Sequence, residues 1–170
     1  MVEVIVQDSV KWTEIVTVAF VMASFVLLVA AGIFAGLQVG ETRRTREAQL
    51  MMELTNRWDN DDLLEARRLA ALYESNPESL TKVMQTDREE RYQLERVPNF
   101  FEDLGVLVSE KSLAPRLVAK LMAGSVERYW ALYSPYIVEQ QDERKSEYRW
   151  FRDLQEKVAE AAKKLEETQK

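Results

Sequence analysis

The sequence predicts an all-α protein: one N-terminal transmembrane helix followed by a cytoplasmic bundle of about five helices. Three observations carry that reading. Ile15 to Val39 is a run of 25 residues without a formal charge. Past Gly40 only Gly105 and Gly124 remain, good helix formers dominate, and alternating β-branched clusters are absent. Apolar side chains in that region recur at spacings of three and four, which stacks them on one face of a helix.

Composition narrows the function before any motif is read. A chain of 170 residues is one domain's worth. With no Cys it has no disulfide, no zinc–thiolate site and no thiol nucleophile. With no His it lacks an imidazole base, a His-held metal or haem, and a Ser-His-Asp triad. Asp and Glu number 29 against 23 Lys and Arg, a net charge of −6. That balance argues against nucleic acid as a partner, because a nucleic-acid binder carries a basic footprint.

The elements follow in chain order. The segment MVEVIVQDSVKWTE (residues 1–14) is net acidic, unlike the basic start of a cleaved signal peptide. It reads as a short extracytoplasmic tail. Residues 15–39 read as the transmembrane helix: at about 1.5 Å per residue they span roughly 37 Å, and a bilayer core needs about 30 Å. Its polar members are Thr17, Ser24 and Gln38. Only Lys11 flanks it on one side, whereas Arg43, Arg44 and Arg46 flank it on the other. The positive-inside rule then puts the N-terminus outside and the C-terminal part in the cytoplasm of a cell (inner) membrane. Trp12 stands where an interfacial aromatic anchor belongs, and the three arginines anchor the opposite interface. Interleaved with Glu41 and Glu47, those arginines touch anionic lipid head groups only weakly, at about 1 kcal/mol per charge. Gly32, Gly36 and Gly40 fall four apart, and the same stripe extends back to Leu28 and Ser24. A face without side chains suits close approach of another transmembrane helix, either of a second copy or of a larger membrane complex.

Residues 40–58 read as a juxtamembrane helix with Met51, Leu54 and Trp58 on one face, and residues 59–170 as the cytoplasmic helical domain. Asp59-Asn60-Asp61-Asp62 supplies a cap and acids for the next helix start. Its apolar face is Leu63, Ala66, Ala70 and Tyr73, with Leu69 beside it. Asn76-Pro77 is a cap followed by Pro at the first helical position, ahead of Leu80, Val83 and Met84. Thr86-Asp87-Arg88-Glu89 reads as a capping box with Thr86 as the cap. Leu94, Val97, Phe101, Leu104 and Val108 continue that pattern through Pro98, which must kink or divide the helix. Ser112 reads as the next cap, with Leu117, Leu121, Val126, Trp130 and Tyr133 behind it. Ser134-Pro135 reads as the start of a last helix, holding Tyr136, Tyr148 and Trp150. Phe151, Leu154, Val158, Ala161 and Leu165 then give about two heptads, a candidate oligomer seam. The core is expected at Trp58, Phe101, Leu104, Trp130 and Phe151.

No Walker loop, dinucleotide fingerprint, nucleophile elbow or EF-hand is present. The acidic run at residues 59–62 lacks the Gly and distal Glu of a calcium loop. Three carboxylate–arginine sets stand out: Glu65 with Arg67 and Arg68, Glu102 with Asp103, and Glu127 with Arg128. They read as interhelix salt bridges rather than acid–base pairs. No catalytic residue, cofactor site, metal site or small-molecule substrate is assigned.

Several short stretches carry a resemblance. After the membrane helix come Trp58-Asp59 with Ala66-Arg67, then Asn99-Phe100-Phe101-Glu102-Asp103-Leu104-Gly105, then Tyr129-Trp130. A further helix holds Arg144, Tyr148 and Phe151-Arg152-Asp153-Leu154. Over roughly residues 15–155 the chain resembles the DUF4760 family, whose members typically pair one N-terminal membrane helix with a helical cytoplasmic part. The resemblance implies that architecture and no activity. The expectation is therefore a non-enzymatic interaction or accessory subunit of a membrane complex, or a homo-oligomer. The alternative is a membrane-anchored sensor or regulator that relays a helix shift to the bundle.

Overall fold

The computed structural model describes residues 2–143 and 148–168, with side chains for 17–140 and 148–168. The chain divides into two units, residues 1–46 and residues 47–170. Helix α1 (Val2–Trp58) supplies the described part of the first unit and opens the second.

In the first unit α1 meets no breaker, and its hydroxyls return to its own backbone. Ser24 Oγ donates to the Phe20 carbonyl at 2.8 Å, and Thr42 and Thr45 do the same to Gln38 and Glu41 at 2.8 and 3.0 Å. The apolar window has a mean hydropathy of 2.6 and none of it is buried. Among the described residues this is the one helix long and apolar enough to cross a membrane. Trp12 and Lys11 lie outside the residues whose side chains are described.

The second unit is a helical bundle. The last turns of α1 are followed by α2 (Asp61–Ala71), α3 (Pro77–Thr86), α4 (Arg88–Leu94), α5 (Arg96–Ser109), α6 (Pro115–Glu143) and α7 (Arg149–Thr168). Among the described residues six helices thus follow α1, one more than the sequence suggests. The pattern running through Pro98 is two helices. The break falls at Glu95, and Pro98 becomes the third residue of α5, where its missing N–H costs nothing because the first turn has no intrahelical partner.

Two starts form as their residues dictate. Asn60 accepts from the Asp62 N–H at 2.9 Å and begins α2; Asn76 accepts from the Ser79 N–H at 3.2 Å and begins α3, with Pro77 first. Three others differ. The cap of α4 is Asp87, which accepts from the Glu89 and Glu90 N–H groups, both at 3.0 Å. Thr86 closes α3 instead, its hydroxyl bonded to the Lys82 carbonyl at 2.8 Å. Ser112 caps nothing. Its N–H folds back to the Leu107 carbonyl at 3.0 Å past Lys111, whose φ of 57° ends α5 in a left-handed turn, and α6 starts at Pro115. Pro135 does not begin a helix but lies inside α6. A helix-interior Pro costs about 3 kcal/mol. Leu132, Tyr133, Tyr136 and Ile137 on both sides of it are buried, and that burial holds the helix through the proline.

The core gathers Met51 and Leu54 of α1 with Ala66, Leu80, Met84, Leu94, Phe100, Phe101, Leu104, Tyr133, Phe151 and Leu154. Trp58 and Trp130 are only partly buried and pack onto it from the side. Leu121 is 62% exposed, because α6 presents Val118, Met122 and Val126 inward in its place.

Candidate functional site

Among the described residues two places bring chemistry-bearing or contact-forming side chains together, one in each unit. In the first unit Leu28 is exposed, and nothing lies within 4 Å of the Cβ positions of Gly32, Gly36 and Gly40. Ser24 is half-exposed, with its hydroxyl already bonded within the helix. The whole stripe is open. Arg43, Arg44 and Arg46 are exposed at its C-terminal end.

In the second unit the dense site is the first turns of α5. Trp58, at the end of α1, packs its ring 4.9 Å from Phe100, 5.3 Å from Phe101 and 5.7 Å from Tyr129. The Arg67 guanidinium lies over the indole ring at 4.3 Å. Its charge meets Asp59 at 3.8 Å, while its Nε is buried without a partner. Next to Trp58, Arg57 donates to Asp103 at 2.7 Å. Phe101 stacks on Phe151 of α7, centroids 4.8 Å apart and planes within 14°.

Glu102 does something the sequence does not announce. Its two carboxylate oxygens accept the backbone N–H groups of Trp150 at 3.1 Å and Phe151 at 2.7 Å. A residue of α5 thereby caps the exposed donors in the first turn of α7. Burial pushes the Glu102 carboxyl above its usual range; the two N–H bonds oppose that, and Asp103 and Asp153 add to it. Three residues on, α5 carries Gly105. A Cβ there would lie 2.6 Å from the Trp150 carbonyl carbon and 2.9 Å from the Trp150 Cβ.

The carboxylate–arginine sets resolve differently from their reading in sequence. Asp103, Arg67 and Arg128 do make ion pairs across elements, but with Arg57, Asp59 and Glu74, not within their own sets. Glu102 serves the backbone. Another pair was not legible at all: the Tyr73 hydroxyl donates to Glu90 at 2.5 Å, and that bond, with smaller help from burial, pushes the phenol up to about 12. Tyr133, fully buried, donates to the Leu94 carbonyl at 3.0 Å.

The heptad stripe proposed as an oligomer seam is used within the chain. Phe151, Leu154 and Val158 are at most 2% exposed, buried with residues of α5 and α6, and only Ala161 and Leu165 remain half-buried. The first three are therefore not free to seat a second copy, because the stripe's apolar area is already covered by its own bundle. A groove of about 240 Å³ between α6 and α7 is lined by apolar residues such as Val126 and Val158 together with Glu127, Gln155, Lys163 and Glu166, and neither Glu102 nor Arg67 reaches it. Arg144 lies outside the described residues.

Neither a curated protein nor a solved structure matches the chain. One family model does, described as Domain of unknown function (DUF4760), and it covers residues 25–161. That stretch takes in the apolar helix from Phe25 onward, the Trp58 contact, the Phe100–Gly105 turns and the start of α7. The match extends over well more than half of the sequence, and the chain belongs to the DUF4760 family.

Proposed function

We propose that this protein is a non-enzymatic single-pass membrane protein of the cell (inner) membrane. It acts as an interaction or accessory subunit of a membrane complex, or as a homo-oligomer. Residues 15–39 cross the bilayer with the N-terminus outside and the helical domain in the cytoplasm. The observation that carries this reading is the fully exposed apolar window of α1. Each Å² of apolar surface left in water costs about 25 cal/mol, and among the described residues none of that window is buried. Lipid along most of the helix and a second transmembrane helix along Ser24, Leu28, Gly32, Gly36 and Gly40 would cover it. The membrane lipids and that second helix are the partners the reading requires.

Purification in mild detergent tests it. The expected result is a stable assembly, and Gly32→Ile with Gly36→Ile should weaken it by adding bulk where backbones meet. Release of the protein from membranes by alkaline carbonate, or recovery of only a monomer without partner, would overturn the proposal.

A second reading has one observation in its favour. The last turn of α1 is held by Trp58 against Phe100, Phe101 and Tyr129, and by Arg57 on Asp103. A sensor or regulator that relays a helix shift needs such a firm attachment. Two glycines inserted after Arg46 would uncouple it, and unchanged output from that variant would dispose of this reading.

A further inference from the structure

Four consecutive residues of α5 hold two other helices. Phe100 and Phe101 pack on Trp58, and Asp103 pairs with Arg57, so both fasten the last turn of α1. Phe101 also stacks on Phe151, and Glu102 accepts the Trp150 and Phe151 N–H groups, so both fasten the first turn of α7. At 3.6 residues per turn, four successive side chains point around the whole helix. One rigid turn can therefore grip a helix on each side. Gly105 lets the α7 backbone sit directly against the same helix.

We infer that Phe100–Asp103 is a coupling block: the docking of the first turn of α7 and the seating of the last turn of α1 are thermodynamically linked through it. Phe101 is the shared element, touching Trp58 at 5.3 Å and Phe151 at 4.8 Å. When Trp58 shifts, the Phe101 ring must follow or leave a void, and in a close-packed core it follows. Its displacement moves the face on which Phe151 stacks and the carboxylate one residue on that caps α7. The link lies wholly within residues 47–168 and holds whatever surrounds residues 17–46. It goes beyond the membrane reading and does not rest on it.

Amide hydrogen exchange on the full chain in detergent reads both ends, because exchange reports local opening equilibria. Trp58→Leu should speed exchange across residues 149–158 by about fivefold or more, the lower end of ordinary coupling between sites. Residues 77–86 of α3 lie outside the block and report whole-domain opening, so they should accelerate several-fold less than residues 149–158. Linkage is reciprocal, so Glu102→Gln should speed exchange across residues 51–58. Should Trp58→Leu fail to fold, Arg57→Ala loosens the same turn more mildly, as it removes the exposed ion pair to Asp103 and the guanidinium over Phe100, and α7 should still accelerate more than α3. Equal acceleration in α3 and α7 would mean general loss of stability and would overturn the inference. So would an unchanged α7, or an α1 end indifferent to Glu102→Gln.

Discussion

Two glycines in exchangeable-looking helical positions should respond to the same substitution with opposite signs. Gly105 and Gly124 both lie inside helices, neither with positive φ. Helix propensity alone says that Ala at either site stabilises by roughly 0.5–1 kcal/mol. At Gly124 nothing lies within 4 Å of the added methyl, so that gain should appear in full. At Gly105 the methyl would sit 2.6 Å from the Trp150 carbonyl carbon and closer still to its oxygen. Non-bonded carbons settle at about 3.5–4.0 Å, so α7 must withdraw by about 1 Å. The obstacle is main chain, which cannot swing aside as a side-chain tip would. Withdrawal loosens the Phe101–Phe151 stack and stretches both Glu102 bonds together. Overpacking of this kind costs about 1–3 kcal/mol or more. After the propensity gain is credited, Gly105→Ala should destabilise by about 1–2 kcal/mol, a factor of about 5–30 in the folding equilibrium. Urea unfolding of the full chain in detergent, followed by tryptophan fluorescence, measures it beside Gly124→Ala. Equal or greater stability of Gly105→Ala would refute the close approach of α5 and α7.

Three further outcomes follow from the same contacts. Glu102 has a folded carboxyl raised above 4.5, so its proton-linked stabilisation is complete below 4.5 and lost as pH rises through the raised value. The stability difference between wild type and Glu102→Gln should therefore shift in favour of wild type on acidification from neutral pH towards 4.5, and the opposite slope in urea titrations would contradict the burial of this group. Tyr73 ionises late, at about 12 against an ordinary 10.0, so its bond to Glu90 should hold below pH 10 and fail as pH passes 12. Tyr73→Phe should remove a component of the tyrosinate absorbance that titrates at about 12 and cost about 1 kcal/mol at neutral pH. Asp87→Ala should cost about 1 kcal/mol as the loss of a helix cap, while Thr86→Ala, which removes only a hydroxyl bonded within its own helix, should change stability by less than about 0.5 kcal/mol; equal effects would return the cap to Thr86.

Local signals were read well from sequence, and those that depend on neighbours far along the chain were not. The all-α class, the apolar helix and the starts at Asn60 and Asn76-Pro77 rest on side chains acting on backbone two or three residues away. Thr86 and Asp87 are both competent caps, and only the observed path of the chain selects the second. Pro135 is a strong breaker in isolation, but four buried neighbours override it. Leu121 has a suitable spacing, but α6 turns Val118, Met122 and Val126 inward in its place. The stripe from Phe151 to Leu165 shows that some helix covers it; periodicity cannot tell whether that helix belongs to the same chain. Glu102 is the furthest case. Its partners stand 48 and 49 residues away, and a glutamate in a helix gives no sign that it will cap another.

The two units differ in how far they bury their own apolar side chains. The domain of residues 47–170 closes its own core down to fully buried side chains in α3, α4, α5, α6 and α7. It caps the start of α7 with its own carboxylate and uses the amphipathic stripe that would otherwise invite a second copy. The apolar window of α1 closes nothing on itself: none of it is buried, and its hydroxyl at Ser24 is bonded to its own backbone, so the helix needs no polar partner along that face. Among the described residues the longest run of exposed apolar side chains therefore lies on α1, while those of the domain, such as Leu72 and Leu121, stand apart from one another. The domain in turn grips the last turn of that helix, where Arg57 and Trp58 meet the turn of α5 that also holds α7.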